Sequence, residues 1–229
     1  MRKKPLVTFL APVYNKAGWI TETIKSLRAQ TLKDIEILFI DDGSTDSTVD
    51  VIKYFMKLDK RIRLHKIGKN VGLGKAWNIG TKLVRSPIIC VASGDDLWIR
   101  KRAEISYNFF KKHPNKDVFY GAFSFCDYAM KPTEFKPAIP YSSKKLVTNR
   151  EDGYCPQYIG HFVMAYTTKI AKKVPYREAY RVGIDYPFLV DLSRAKARFG
   201  WTKKLLGFAR LLNTGVSIAR RKEVENVKI

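Results

Sequence analysis

Apolar and polar positions follow two rhythms in this chain, and the first hundred residues switch between them regularly. Leu6–Ala11, Ile35–Ile40 and Pro87–Ala92 are short, largely apolar runs, as expected of strands buried on both faces, and Ile62–Ile67 is a further strand candidate. Between them Ile20, Ile24 and Leu27 recur at helical spacing. Val51, Ile52, Phe55 and Met56 do the same, and so do Leu73, Ala76, Trp77, Gly80, Leu83 and Val84. Ser47 with Asp50 reads as a start box for the second of these helices. The resulting β-α-β-α-β-α-β order predicts an α/β fold with a mixed, mostly parallel sheet flanked by helices on both faces.

After Asp96 the pattern loosens. Ile99–Lys112 predicts a helix, Val118–Phe125 an aromatic strand, His161–Thr167 a further strand, and Asp185–Phe199 a helix carrying Leu189, Leu192 and Ala195. Residues 131–157 hold Pro132, Pro137, Pro140, Gly153 and Pro156, which predicts a long loop or lid. Trp201–Leu212 is basic with apolar interruptions, so it reads either as an amphipathic segment against an anionic bilayer or as an element packed on the core. No repeat or linker cuts the chain. Residues 1–112 form one half of a single unit, 113–217 the other half, and 218–229 a basic tail.

Composition narrows the class. With 229 residues, 45% hydrophobic and 13% aromatic, the chain can bury a full core, which excludes a disordered segment. No stretch approaches the ~20 apolar residues needed to span a bilayer. Leu6–Val13 behind Met1–Lys4 imitates a secretion signal, but Pro12 interrupts it and no small-residue cleavage pattern follows. Cys90, Cys126 and Cys155 are odd in number and lack a CxxC pair, so the expected setting is a reduced, cytoplasmic one without structural zinc. The net charge of +22 is heavier in the second half and points to an anionic partner, nucleic acid or an acidic membrane surface.

The chemistry concentrates at strand ends. Asp41-Asp42 and Asp95-Asp96 each follow a buried run, where adjacent carboxylates repel unless a cation or hydrogen-bond donors compensate. Ligands of open α/β sheets bind at such carboxyl ends. One pair suits a nucleotide, the other a divalent cation such as Mn²⁺ or Mg²⁺ completed by substrate phosphates. In Ile40-Asp-Asp-Gly-Ser-Thr-Asp46, Gly43 permits a tight turn and Ser44, Thr45 and Asp46 are candidate caps. Asn70-Val-Gly-Leu-Gly-Lys-Ala-Trp-Asn78 is neither a Walker loop nor a dinucleotide fingerprint, although Gly72 and Lys75 could approach a diphosphate.

Together these segments resemble the family 2 glycosyltransferases of the GT-A fold. The resemblance rests on Pro12-Val-Tyr-Asn15, Ile40-Asp-Asp-Gly-Ser-Thr-Asp46, Asn70-Val-Gly72 with Asn78, and Ser93-Gly-Asp-Asp-Leu-Trp98, and it runs over residues 6–110, continuing weakly to about 217. It implies a nucleotide-sugar donor, with UDP favoured, held by Pro12, Tyr14, Asn15, Asp42, Gly72, Lys75, Asn78 and Asp95. Asp42 would read the base, Tyr14 stack near it, Asp95 meet the ribose, and Asp96 ligate the metal. The segment Glu178 to Tyr186 matches the family's later acidic motif and puts Asp185 in the position of the catalytic base.

Two departures mark the match. Ser93 stands where the family's D-x-D form has an aspartate, and Ala209-Arg-Leu-Leu212 stands where many members have Tyr-Arg-x-His. Either Asn213 or water substitutes for that histidine, or metal binding is weak. His161 reads as a core or surface residue rather than a ligand. For the acceptor, Arg100, Lys101, Arg102, Lys144, Lys145, Lys172 and Lys173 are candidate polyanion contacts, with Lys111-Lys112 and Arg220-Arg221-Lys222 as further basic clusters. The favoured acceptor is a hydroxymethylated pyrimidine in DNA. Alternatives are peripheral-membrane synthesis of envelope or lipid-linked glycan, or a basic nucleic-acid-binding module without catalysis.

Overall fold

The computed structural model describes residues 4–143, 159–181 and 183–211. Its first half follows the apolar rhythm closely. Strands β1 (Val7–Val13), β2 (Ile35–Asp41), β3 (Ile62–Lys66) and β4 (Ile88–Val91) alternate with helices α1 (Ile20–Arg28), α2 (Thr48–Leu58) and α3 (Leu73–Leu83). β1 pairs in parallel with both β2 and β4, and β2 pairs in parallel with β3.

The second half comprises β5 (Leu97–Trp98), α4 (Arg102–Lys112), β6 (Val118–Cys126), β7 (Pro132–Lys136), a 3-10 turn at His161–Val163, β8 (Ala165–Thr167), α5 (Thr168–Lys173), α6 (Asp185–Arg194) and β9 (Phe199–Arg210). Strand order across the sheet is β3-β2-β1-β4-β8-β6-β9-β5, with β7 on β6. β8 is antiparallel to β4 and β6, β5 to β9, and β7 to β6; β6 and β9 run parallel. The sheet is therefore mixed and mostly parallel.

Alternate residues of each strand feed two cores. Val7, Phe9 and Ala11 of β1 join Ile20, Ile24 and Leu27 of α1, Ile52 and Phe55 of α2, and Ala103 and Phe110 of α4. Leu10 and Ile40 face the other way, onto Trp77 of α3, Ile170 of α5 and Phe188 and Leu192 of α6. Burying each such side chain is worth about 1.5–3 kcal/mol, which is what holds helices to both faces.

Several expectations need correction. The predicted start box of α2 does not form: Ser47 makes no capping bond, and Asp46 Oδ1 instead accepts from Thr48 N at 3.0 Å and Thr48 Oγ1 at 2.5 Å. Part of the expected 131–157 loop is strand β7; residues 144–157 lie outside the described set. His161–Val163 is a 3-10 turn, and the strand there is only Ala165–Thr167. α6 ends at Arg194, just before Lys196 takes a left-handed φ of 55°, and Phe199 opens β9. Of the two readings of Trp201–Leu212, the structure has the element packed on the core: Trp201–Arg210 is part of a strand whose backbone is committed to β6 on one side and β5 on the other. Among the described residues no helix is long and apolar enough to cross a membrane.

Candidate active site

In the strand order, β1 is where the chain turns back: β2 and β3 lie to one side of it and β4 to the other. Such a reversal opens a crevice at the carboxyl ends of the flanking strands. Both acidic pairs sit there, Asp41-Asp42 at the end of β2 and Asp95-Asp96 just beyond β4. The Pro12-Val-Tyr-Asn15 segment ends the strand between them.

The first acidic pair is satisfied by backbone donors, not by a cation. Asp41 Oδ1 accepts from Ser44 N at 3.2 Å, while Asp42 Oδ1 and Oδ2 accept from Val71 N at 2.7 Å and Gly72 N at 3.0 Å. Asp42, 5% exposed, therefore clamps the entry to α3 onto the end of β2. Gly43 has φ 78°, and a Cβ there would stand 2.6 Å from the carbonyl carbon of Lys69, so only glycine lets the two turns touch. Asn15, at φ 50°, stitches the first two motifs: its N–H donates to Ser44 Oγ at 3.0 Å and its Oδ1 accepts from Thr45 N at 2.9 Å. Pro12 is buried within β1, whereas Tyr14 is 43% exposed at the mouth of the crevice.

The second pair is held differently. Asp96 Oδ2 accepts from Ser93 Oγ at 2.7 Å and Oδ1 from Arg210 N at 3.1 Å. Ser93, the departure from D-x-D, thus acts as the hydrogen-bond donor that orients Asp96. Burial, reinforced by the charge of Asp95, pushes the Asp96 carboxyl up to about 7. Asp95 meets Lys16 Nζ at 2.5 Å. Arg210 covers the pair from behind: Nε donates to Asp95 O at 3.2 Å, Nη1 to Tyr128 O at 2.7 Å, and Nη2 to Glu22, with the guanidinium 4.6 Å above the Trp19 ring. Lys16 and Arg210 were not singled out from the sequence as site residues. Lys16 directly follows Asn15, and Arg210 lies in the segment compared with Tyr-Arg-x-His; Leu212 and Asn213 lie outside the described residues.

The donor set can be tested against a divalent cation. Among the described residues no cluster of three or more His, Cys, Asp or Glu side chains could enclose a metal. Two neighbouring carboxylates that share a single ammonium, with Asp96 raised by the charge of Asp95, nonetheless fit a hard cation that takes its remaining ligands from substrate phosphate and water. Asp95 and Asp96 would hold it.

Asp185 is the first helical residue of α6, with Ile184 as the cap position, and its side chain is 60% exposed. It is therefore not a capping residue. His161 Nδ1 lies 3.5 Å from Asp185 Oδ1. Burial lowers the pKa of His161 from its ordinary value, against the pull of Asp185, and its Nε2 meets Tyr176 Oη at 2.6 Å.

Other predicted site residues have different occupations. Asn78 is not free for a donor: Nδ2 donates to Tyr176 O at 2.8 Å and Glu178 Oε1 at 3.2 Å, and Oδ1 accepts from Tyr176 N at 2.9 Å. Gly72, at φ 93°, packs against Arg181, and Lys75, half-exposed, lies 3.9 Å from Glu178. Arg102 is no polyanion contact. It is fully buried, donating to Ser106 Oγ and to the carbonyls of Val163 and Met164, and so fastens α4 to the 3-10 turn that leads into β8. Arg100, Lys101, Lys111 and Lys112 are exposed on the α4 side of the sheet, and Lys172 and Lys173 on α5 across it. The structure does not gather them into one patch. Lys144, Lys145, Cys155 and Arg220–Lys222 lie outside the described residues.

The comparisons with known proteins agree with this geometry. An uncharacterised glycosyltransferase of Rickettsia typhi is 37% identical over 62% of this chain and 44% of its own length. One from Haemophilus influenzae is 32% identical over 54% and 49%, so the chain spans about half the length of these relatives. An uncharacterised glycosyltransferase of Methanocaldococcus jannaschii is 27% identical over 96% of this chain and 76% of its own. Among solved structures, S. aureus TarS 1-349 in complex with UDP-GlcNAc matches with TM-score 0.70 at 18% identity, over 98% of this chain and 62% of that one. The mannosyltransferase PcManGT from Pyrobaculum calidifontis, in complex with GDP-Man and Mn²⁺, matches with TM-score 0.68 at 16% identity, over 96% and 61%. These likenesses carry the GT-A fold. The profile of Glycosyl transferase family 2 spans residues 8–172, from the first strand to the end of α5, and on that extent the chain belongs to this family.

Proposed function

We propose that the chain transfers a glycosyl group from a nucleotide-sugar donor to an acceptor hydroxyl in a single inverting displacement. The observation that carries this reading is the meeting of both acidic pairs at the strand-order reversal beside β1, where a diphosphate and its counter-cation would lie. UDP-GlcNAc in TarS and GDP-Man with Mn²⁺ in PcManGT support a nucleotide sugar as donor, with UDP preferred.

Tyr14, exposed at the mouth, would lie against the base, and the Asp42 clamp would set the wall on which it rests. Asp95 and Asp96 would hold Mn²⁺ or Mg²⁺, whose charge offsets that of the departing diphosphate. Asp185 takes the proton of the acceptor hydroxyl as that oxygen attacks the anomeric carbon. The positive charge supports an anionic acceptor, which in this reading is a hydroxymethylated pyrimidine in DNA. The division of the basic residues between two faces bears against a single long DNA track.

Asp185→Asn should bind donor as the wild type does and lose transfer by at least about a hundredfold, as removal of a general base does. Turnover close to wild type would refute the assignment. For the acceptor, a labelled nucleotide sugar is offered in parallel to hydroxymethylated duplex DNA and to a lipid-linked acceptor. Label entering only the lipid removes the DNA reading.

A further inference from the structure

We propose that His161 is a positioning residue for Asp185, held in one tautomer by a buried tyrosine pair so that its Nδ1–H faces the carboxylate. This rests on the reading of Asp185 as the base. Asp185 projects from the exposed start of α6, and His161 Nδ1 lies 3.5 Å from its carboxylate, whose charge also reaches the Tyr176 phenol. An exposed aspartate without such a neighbour samples several rotamers, and a base must be held at its reacting distance to be effective.

Behind His161 stands a line of hydroxyls. Nε2 meets Tyr176 Oη at 2.6 Å, and Tyr176 Oη meets Tyr166 Oη at 3.0 Å, all buried. The order of protons along this line follows from electrostatics. If Nδ1 carried the lone pair, it would face the carboxylate lone pairs. With the proton on Nδ1, Nε2 accepts from Tyr176, and Tyr176 accepts from Tyr166. Burial supports this arrangement by keeping the imidazole neutral and by raising both phenols, so each tyrosine keeps its proton.

The aromatic surroundings make the line rigid. Tyr176 is stacked on Phe188 with centroids 3.9 Å apart and on Trp77 at 5.3 Å, and His161 stands edge-on to Trp77 at 5.4 Å. Asn78 pins the backbone of Tyr176 from both sides, which gives this residue of the family motif a task one step behind the chemistry. Tyr176 and Phe188 lie on either side of Asp185 in sequence, and their stack fixes the start of α6 where the carboxylate emerges.

The test uses Tyr176→Phe, which keeps the stacked ring and removes only the hydroxyl, together with His161→Gln. Both should stay folded, melting several degrees below wild type because a buried polar atom loses its partner, and keep the nucleotide-sugar Kd and KM, while kcat falls about ten- to a hundredfold, as when a positioned group is displaced. Long-range ¹H–¹⁵N spectra of histidine-labelled protein should show His161 as the Nδ1–H tautomer. The signal should become a tautomer mixture in Tyr176→Phe and shift in Asp185→Asn. An Nε2–H tautomer in the wild type would overturn the proposal, as would wild-type kcat in His161→Gln alongside an inactive Asp185→Asn. An active Asp185→Asn would instead sink the base assignment while leaving the tautomer result standing.

Discussion

Replacing Asp42 with asparagine tests the clamp that joins the second strand to the third helix. The carboxylate has two acceptor oxygens and uses both, on Val71 N at 2.7 Å and Gly72 N at 3.0 Å. Asparagine has one acceptor. Its amide nitrogen would be turned toward whichever N–H the oxygen leaves, opposing donor to donor. The variant therefore loses one charge-assisted bond, worth about 1.5–3 kcal/mol, and leaves a buried N–H unpaired at a cost of about 1–3 kcal/mol. These overlap, so the expected loss is about 2–4 kcal/mol. In a chain of this size, 1 kcal/mol moves the melting temperature by about 2–4 °C, so the midpoint should fall by roughly 5–15 °C. Urea and thermal unfolding followed by far-ultraviolet circular dichroism measure it, with exposed Asp50→Asn as a control expected within about 0.5 kcal/mol of wild type. An Asp42→Asn midpoint within about 1 °C of wild type would refute the clamp.

Gly43→Ala should cost at least about 2 kcal/mol, because the positive φ strains alanine and its Cβ meets backbone at Lys69; unchanged melting would show that the two turns can part. Lys16→Met frees Asp95 of its ammonium partner, so Mn²⁺ should raise the melting temperature of the variant more than that of the wild type in a thermal shift titration; an equal or smaller rise would separate Lys16 from the cation's place. His161 is held below its ordinary pKa of 6.5 by burial, so the unfolded chain binds the extra proton first. Its share of stability is complete above about pH 6.5 and declines as pH falls below that. His161→Gln should accordingly lose less stability than wild type between about pH 7 and pH 5, and parallel curves would contradict a buried neutral imidazole.

β3, at the sheet edge and partly exposed, was carried by Ile62 and Leu64 alone, whereas β1, β2 and β4 were legible because both their faces are buried and their runs are largely apolar. Even there Glu36 hid a polar contact inside β2, where it accepts from Thr8 Oγ1 at 2.8 Å and pairs with Arg63. Asp42, Asp95 and Asp96 were readable as site candidates, since paired carboxylates at strand ends need a reason. What each would touch was not readable, because the donors come from Val71, Ser93 and Arg210 through folding. The second half was harder for two physical reasons. β9 faces solvent along part of its length, so its apolar residues do not alternate cleanly and mimic an amphipathic helix. Arg102 sits in a run of cations that looks solvated, yet it is the cation folded inward, onto carbonyls 61 and 62 residues away in the chain. Tyr176 gave no signal at all, since nothing in its neighbours marks an aromatic that will line up with a histidine.

The pairing of β5 with β9 carries a consequence for how the protein is made. Leu97 and Trp98 leave the acidic turn and dock on Gly207 and Phe208, and Arg210, 114 residues downstream of Asp96, closes the turn with its own N–H. During synthesis the ribosome releases both aspartate pairs long before it releases the strand that shapes the second one. The amino-terminal sheet can assemble early, but the second acidic turn must wait for β9. A nascent or prematurely terminated chain ending ahead of residue 205 would thus carry the second acidic motif without the contacts that shape it.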